Sequence, residues 1–594
     1  MTRLFNDPAD FADEMIDGFV AANRNQVRRV TGGVVRSTRT PEGTVALVIG
    51  GGSGHYPAFG GIVGQGLAHG AAMGNLFASP SAHQVESVAK AAQRGGGVLL
   101  SYGNYAGDVL HFTQAQDALN AAGIPTRSVA VTDDISSAPL AEKHKRRGIA
   151  GDLTVFKSAA AAAEAGYDLD EVVRVATHAN ERTRSFGVAF SGCTLPGATE
   201  PLFTVPEGRM AVGMGIHGEP GIDETDVPTA DELATLLVSS LLAELPEGVS
   251  EATGARVGVI LNGLGSVKYE ELFVVYRAVA AQLEAAGVEI VDPEVGELVT
   301  SFDMAGVSLT LFWLDEELEG FWAAGADTPA YRKGVVAAAE QLDPSELVAE
   351  TAAEIPESTD ESRVAAAVVV EALDALVQVI DTNVEELGRI DAVAGDGDHG
   401  IGMQRGARAA VTAAHTAADA GAGAHTVLHL AGDAWADRAG GTSGALWGLA
   451  LRSVGTALGD EAPPGRSDVA TGVQAAVDGI MSFGKAEVGQ KTMVDALVPF
   501  TTTLSAAVAD GSDLVAAWTT AAAAASTAAA ETADLLPKMG RARPHAEKSL
   551  GTVDAGAYSF GLIVTAIVPV LERAASITAP DGSTSTTTNE GVHA

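Results

Sequence analysis

The chain changes texture once, and that change constrains its fold more than any other feature. Up to about residue 335, short apolar runs alternate with glycine turns: TVALVIGGGSG (44–54), GGVLLSYGNYAG (96–107), TRSVAVTDD (126–134), RMAVGMGIHGEPG (209–221) and ARVGVILNGLG (255–265). Each reads as a strand and its turn. Helical stretches, such as 81–94 and 113–122, lie between them. The alternation predicts an α/β domain over 1–335 with a largely parallel sheet. Residues 336–362 are acidic, carry Pro344 and Pro356 and lack strand patterning, which predicts a partly helical linker. From 363 to 573 the pattern is helical. Leu373, Val377, Ile380, Val384, Leu387 and Ile390 mark one apolar face. This predicts an all-α helical bundle or barrel. The polar tail, 574–594, reads as disordered, and no repeat relates the two halves.

Charge narrows the partners. Lys and Arg number 37 against 76 Asp and Glu, a formal charge of −39 over 594 residues. Such a chain repels phosphate backbones and anionic lipid, so neither nucleic acid nor a membrane is expected as a partner. Any phosphate it handles must be masked locally, by a metal or by backbone N–H groups. One cysteine, Cys193, rules out a disulfide framework and a Cys-based zinc site. The first residues lack the apolar core of a signal peptide. The most membrane-like stretch, 515–530, reads as an Ala-rich soluble helix. A cytoplasmic protein is expected.

Two groups of motifs carry chemistry. Asp391, Asp396 and Asp398 fall within eight residues, around Gly395 and Gly397 and before His399 and Gly400. Crowded carboxylates raise one another's pKa, and a hard cation such as Mg²⁺ relieves the repulsion; an acidic loop is the plain alternative. Ala439-Gly440-Gly441-Thr442-Ser443-Gly444 opens a helix, as a phosphate cradle or as an ordinary N-cap at Thr442 or Ser443. Gly484, Lys485, Lys491, Thr492 and Met493, and a loop with Lys538, Arg541 and Arg543, add glycine, hydroxyl and cationic groups. In the first half, Gly52-Ser53-Gly54-His55 follows a strand but fails the dinucleotide frame, because His55 stands at its last glycine. His217 and Asp108 also follow glycine-bearing strand ends, where α/β sheets bind ligands. Two histidines and a carboxylate suit acid–base work on a small polar ligand.

GGGSGH, NYxGD, MGIHGEPG, GDGDHG, GGTSGAL, KTM and GRA occur together, in this order, in the dihydroxyacetone kinase family, which the chain resembles over about 15–335 and 363–572. The resemblance implies a ketose-binding domain followed by a helical nucleotide domain. His217 would capture the substrate carbonyl as a hemiaminal. Asp108 and His55 would orient and deprotonate the terminal hydroxyl, with Gly52, Ser53, Gly54 and Gly103 also at the substrate. Asp391, Asp396 and Asp398 would hold two Mg²⁺ ions. His399, Gly400, Thr442, Ser443, Gly484, Met493, Arg541 and Asp554 match positions around the nucleotide. One fused chain implies ATP as donor. A phosphotransferase-linked enzyme that keeps ADP bound, and a non-catalytic sugar sensor, are the alternatives.

The departures bear on the substrate. Tyr56 and Phe59 stand where the family commonly has Glu and His, Gly103 stands where a substrate-contacting Lys sits, and Gln490 and Ala555 depart in the second half. Losing that Lys removes a donor and empties space. The variant is similar to members that act on the four-carbon ketose erythrulose, so a tetrulose is expected ahead of dihydroxyacetone. The linker can span tens of ångströms, at roughly 1.5 Å per helical residue or about 3.3 Å extended. The resemblance therefore suggests a homodimer in which one chain's nucleotide domain caps its partner's ketose domain.

Overall fold

The computed structural model describes residues 4–343, 355–393, 395, 397–539 and 548–578. By internal packing the chain divides into two units, Met1–Glu354 with Gly432–Leu449, and Ile355–Ala431 with Ala450–Ala594.

In the first unit, β1 (Val27–Val30), β2 (Gly33–Arg36), β3 (Ala46–Ser53), β4 (Gly70–Leu76), β5 (Val98–Gly103) and β6 (Thr126–Val131) form one sheet, in the order β1-β2-β4-β3-β5-β6. Strands β4, β3, β5 and β6 run parallel, while β1 and β2 join antiparallel. The period-2 pattern of β3 explains why both faces are covered. Leu47 and Ile49 pack into a core with α4 (Asp152–Glu164) and α5 (Leu169–Glu181). Ala46 and Val48 face α2 (Ala82–Ala92) and α3 (Ala106–Ala121), against Val85, Val88, Phe112 and Leu119. Helix α1 (Phe11–Ala22) contributes Ile16 to the first of these cores.

A second sheet combines β7 (Thr183–Ala189), β8 (Arg209–Val212), β9 (Asp223–Asp226), β10 (Arg256–Gly263), β11 (Glu289–Gly296) and β12 (Gly306–Trp313), in the order β11-β10-β12-β7-β8-β9. Only β10 and β11 pair parallel, across α7 (Tyr269–Ala285); every other pair is antiparallel. The expectation of a largely parallel sheet therefore holds for the first sheet and fails for the second. The link between β11 and β12 is too short for a crossover helix, and only a reversal of direction fits it. One face packs on α6 (Ala230–Leu242) and α7 through Leu233, Leu237, Leu272 and Val279. Helix α8 (Glu316–Ala323) sends Leu318 and Trp322 into the core shared with α4.

The helical part consists of α9 (Asp360–Asp391), α10 (His399–Asp419), α11 (Ala424–Ala439), α12 (Gly441–Leu458), α13 (Arg466–Gly484), α14 (Val494–Ala509), α15 (Leu514–Glu531) and α16 (Ala555–Thr578). Thr359 caps α9 by accepting from the Ser362 N–H, and Leu373, Ile380, Leu387 and Ile390 are buried along it. Helix α9 thus begins inside the stretch read as linker, and α16 continues through the first residues read as tail. Helices α9 and α10 cross closely at Gly400, where a Cβ would lie 2.1 Å from the Val384 carbonyl oxygen. Among the described residues, the helix long and apolar enough to cross a membrane is Ala555–Ser576 rather than 515–530. It packs against α9, α14 and α15, and Trp518 Nε1–H donates to the Val564 carbonyl at 2.9 Å.

Candidate active site

Strand β3 ends in the glycine turn that delivers His55. A Cβ on Gly52 would lie 2.8 Å from the Ala78 nitrogen and 3.0 Å from the Phe77 carbonyl carbon, so only glycine fits against that backbone. Gly54 turns the chain with φ +101°. Ser53 is buried, and its hydroxyl is committed to the Gly74 carbonyl at 2.6 Å. What this residue offers a ligand is therefore backbone rather than hydroxyl.

His55 and His217 meet. His55 is 2% exposed and stacks on Phe77, with ring centroids 5.0 Å apart. The two Nε2 atoms are 3.0 Å apart. His55 Nδ1 lies 2.7 Å from the Thr300 carbonyl oxygen, which only accepts, so that nitrogen carries a proton. His217 Nδ1 lies 3.1 Å from Glu219 Oε1, and its backbone N–H donates to Oε2 of the same carboxylate at 3.0 Å. Burial opposes the Glu219 charge, but His217 and Arg147 outweigh it and hold this carboxyl well below the usual carboxylate range. Glu219 is thus an acceptor, and His217 Nδ1 is protonated too. With both Nδ1 positions filled, a hydrogen bond between the Nε2 atoms requires a third proton. Burial, reinforced by His217, pushes His55 down to about 3. His55 is therefore neutral, and its Nε2 turns a lone pair towards His217.

Behind Glu219, Arg147 lies 3.8 Å away and pairs with Asp134 at 2.7 Å. Tyr105 walls the other side, its ring edge-on to His217 at 4.5 Å and its hydroxyl donating to the Gly148 carbonyl at 2.9 Å. Asp108 lies in the first turn of α3, is 6% exposed, and leaves Oδ1 without a partner among the described residues. Burial pushes it up to about 7, against the pull of Ser79. At Gly103, a Cβ would meet the Tyr105 ring at 3.0 Å. The space expected from the missing lysine is thus partly taken by Tyr105. Phe59 is buried beside His55, whereas Tyr56 is 46% exposed.

The helical region assembles a second constellation. Asp391 ends α9, and the His399 N–H, at the head of α10, donates to its Oδ2 at 3.4 Å. Asp398 has an open rim, yet desolvation of its carboxyl and the Asp391 charge push it up to about 6. Burial lowers His399, whose Nε2 lies 3.0 Å from the Ser559 hydroxyl. Asp554 caps α16, accepting from the Ala557 N–H at 2.7 Å. Burial, with Asp495 and Asp391 adding, pushes it up to about 7. Asp391, Asp554 and Lys491 line one cleft. Met493 precedes α14 and touches the Gly556 position, and Gly484 closes α13 before the left-handed Lys485. Thr442 and Ser443 are exposed in the first turn of α12, inside the helix rather than at its N-cap. Asp396, Arg541 and Arg543 lie outside the described residues. Among those described, no cluster of three or more candidate metal-ligating side chains occurs. Paired, mutually repelling carboxylates are nonetheless the oxygen donors that Mg²⁺ takes.

Several groups escape a reading by motif. Glu219 stands two residues after His217, and that spacing was a usable signal. Arg147, Asp134 and Thr300 reach the histidines from distant segments and leave no local signature. Lys491, with φ +58°, spends its ammonium on the Leu535 and Ser549 carbonyls. Asp495 closes the turn before α14 by accepting from the Gly489 and Thr492 N–H groups.

Known proteins resemble the chain over most of its length. The Dak1 domain model matches residues 17–330, and the DAK2 domain model matches 393–569. An L-erythrulose kinase of Pectobacterium atrosepticum is 64% identical over 96% of this chain and 97% of its own. A D-erythrulose kinase of Mycolicibacterium smegmatis is 55% identical over 95% and 97%. The crystal structure of the dihydroxyacetone kinase from C. freundii in complex with AMP-PNP and Mg²⁺ matches 96% of this chain and 99% of its own, with 30% identity and a TM-score of 0.51.

Proposed function

The chain belongs to the dihydroxyacetone kinase family, and from that premise we propose that it moves a phosphoryl group from ATP to a terminal hydroxyl of erythrulose. The observation that carries the substrate is the near full-length similarity to an L-erythrulose kinase. The local chemistry supports a carbonyl substrate. His217, its Nδ1–H held by Glu219, attacks the ketone carbon with its Nε2 lone pair. The C=O π pair moves to oxygen, which takes a proton from solvent beside the neutral Nε2 of His55. This leaves a neutral His55 and a cationic, carbon-bonded His217 ring facing Glu219. Asp108 offers its unpartnered oxygen to the reacting hydroxyl and takes that proton. Gly52, Gly54 and the Ser53 backbone shape the turn against the substrate.

In the helical part, Asp391, Asp396 and Asp398 would hold Mg²⁺, which when bound neutralises phosphate charge during transfer. His399, Gly400, Thr442, Ser443, Gly484, Met493, Arg541 and Asp554 are assigned to the nucleotide by family resemblance. The same resemblance supports a cytoplasmic homodimer, which light scattering would detect. The decisive assay measures ADP release with Mg²⁺ and ATP across dihydroxyacetone, glyceraldehyde and both erythrulose enantiomers. Preference for an erythrulose is expected. A tenfold preference for dihydroxyacetone would replace the tetrulose reading, and turnover only with a phosphocarrier would replace ATP as donor.

A further inference from the structure

One buried carboxyl beside the substrate loop has no role in this scheme. Asp152 opens α4, is 2% exposed, and leaves Oδ1 without a hydrogen-bond partner among the described residues. Its neighbour Asp133 is explained, since it accepts from the Ile149 and Gly151 N–H groups at 2.9 Å each and holds the turn before α4. Asp152 holds nothing comparable with its free oxygen. Burying such an acceptor without a donor is costly, and native structures keep few of them.

The position of that oxygen is informative. A Cβ on Gly148 would lie 2.7 Å from Asp152 Oδ1 and 2.6 Å from the Gly103 Cα. With no side chain at either glycine, the carboxyl packs against Gly148, which itself packs against Gly103 at the head of the loop that leads to Asp108. Tyr105 connects this corner to the histidines, since its hydroxyl bonds the Gly148 carbonyl while its ring meets His217. Asp108, three residues beyond Tyr105, is the other carboxyl here with a bare Oδ1. Its charge adds to burial and to Asp133 in pushing Asp152 well above the usual carboxylate range.

Among the described residues, two buried carboxyl oxygens without donors thus lie close enough for the charge of Asp108 to act on Asp152. Once its carbonyl is held by His217 and its reacting hydroxyl by Asp108, dihydroxyacetone has one hydroxyl left, whereas a tetrulose has two. We infer that Asp152 reads the substrate: its free oxygen receives the hydroxyl that a four-carbon ketose carries beyond dihydroxyacetone. The inference rests on the ketose kinase reading above.

The test uses the full-length enzyme, wild type and the variants Asp152→Asn and Asp152→Ala. The substrates are erythrulose, dihydroxyacetone and two deoxy analogues, 1,3-dihydroxybutan-2-one and 1,4-dihydroxybutan-2-one. Leaving a substrate hydroxyl unpaired where the buried Asp152 carboxyl had met it predicts that Asp152→Ala lowers the erythrulose-to-dihydroxyacetone ratio of kcat/KM roughly tenfold. One analogue should lose a similar factor in wild type and lose little further in Asp152→Ala. An unchanged ratio, as expected if only an ordered water satisfies Asp152, overturns the inference. If both variants fail to fold, the wild-type comparison decides: deoxy analogues turned over as well as erythrulose overturn it. Absence of ketose phosphorylation by wild type refutes the kinase reading instead, which keeps the two failures distinct.

Discussion

Replacing Glu219 with Gln isolates what its charge does for His217. The carboxylate accepts from the His217 backbone N–H at 3.0 Å and from Nδ1 at 3.1 Å. Gln keeps a carbonyl acceptor of the same reach and loses only the charge. Arg147 stays paired with Asp134 at 2.7 Å, so the change strands no cation. What disappears is the counter-charge to the cationic His217 ring that forms in the hemiaminal. A charge-assisted hydrogen bond is worth about 1.5–3 kcal/mol net, and the bare Coulomb attraction at this range is about 4 kcal/mol at an effective dielectric of 20. Hemiaminal formation should therefore weaken roughly ten- to hundredfold. Titrating a ketose labelled with ¹³C at its carbonyl, and following the shift of that carbon by NMR, reads the adduct directly; kcat/KM should fall with it. Stability supplies a second check. Because Glu219 is held below its unfolded value, its contribution is present above the unfolded pKa and is lost as pH falls through the folded one. The variant's deficit should thus be seen at neutral pH and close in acid. Adduct occupancy and kcat/KM within twofold of wild type would refute the ion-pair argument.

Three further outcomes follow from the same geometry. Asp108→Asn should lower kcat/KM roughly 100- to 10,000-fold, as loss of a general base does. Wild-type kcat/KM should rise with pH through about 7 as Asp108 loses its proton. Its folded pKa is raised, so ionisation costs stability as pH climbs from the unfolded value towards 7; Asp108→Asn should melt no lower than wild type above that pH. Gly103→Lys must displace the Tyr105 ring, which a Cβ would meet at 3.0 Å; the erythrulose-to-dihydroxyacetone ratio should fall several-fold, and an unchanged ratio would discard Gly103 as a determinant. Asp391→Asn should weaken Mg²⁺-dependent ATP binding by calorimetry and slow phosphoryl transfer together, while Asp398 titrates lower because the charge that raises it has gone; normal binding and turnover would remove Asp391 from the nucleotide machinery.

How much of this was legible in the sequence depended on whether the cause was local. Each glycine-ended run became a strand, and the apolar stripe from Leu373 to Ile390 became the buried face of α9, because periodicity and turn chemistry act within a few residues. Strand direction in the second sheet was misread because it is set by connection length and edge pairing, which apolar runs do not encode. The meeting of His55 and His217 could be suspected from two histidines after strand ends. Their tautomers could not, because these depend on Thr300 and on an acid pinned by Arg147. Gly103 shows the limit most clearly. A missing side chain is visible in the sequence, but its consequence belongs to whatever moves into the space. Here Tyr105 leans across it, Gly148 closes in beneath, and Asp152 is left with an oxygen that no group among the described residues satisfies. A departure from a family pattern marks where specificity can change; the unpaired polar atom it leaves behind says which chemistry would fill it.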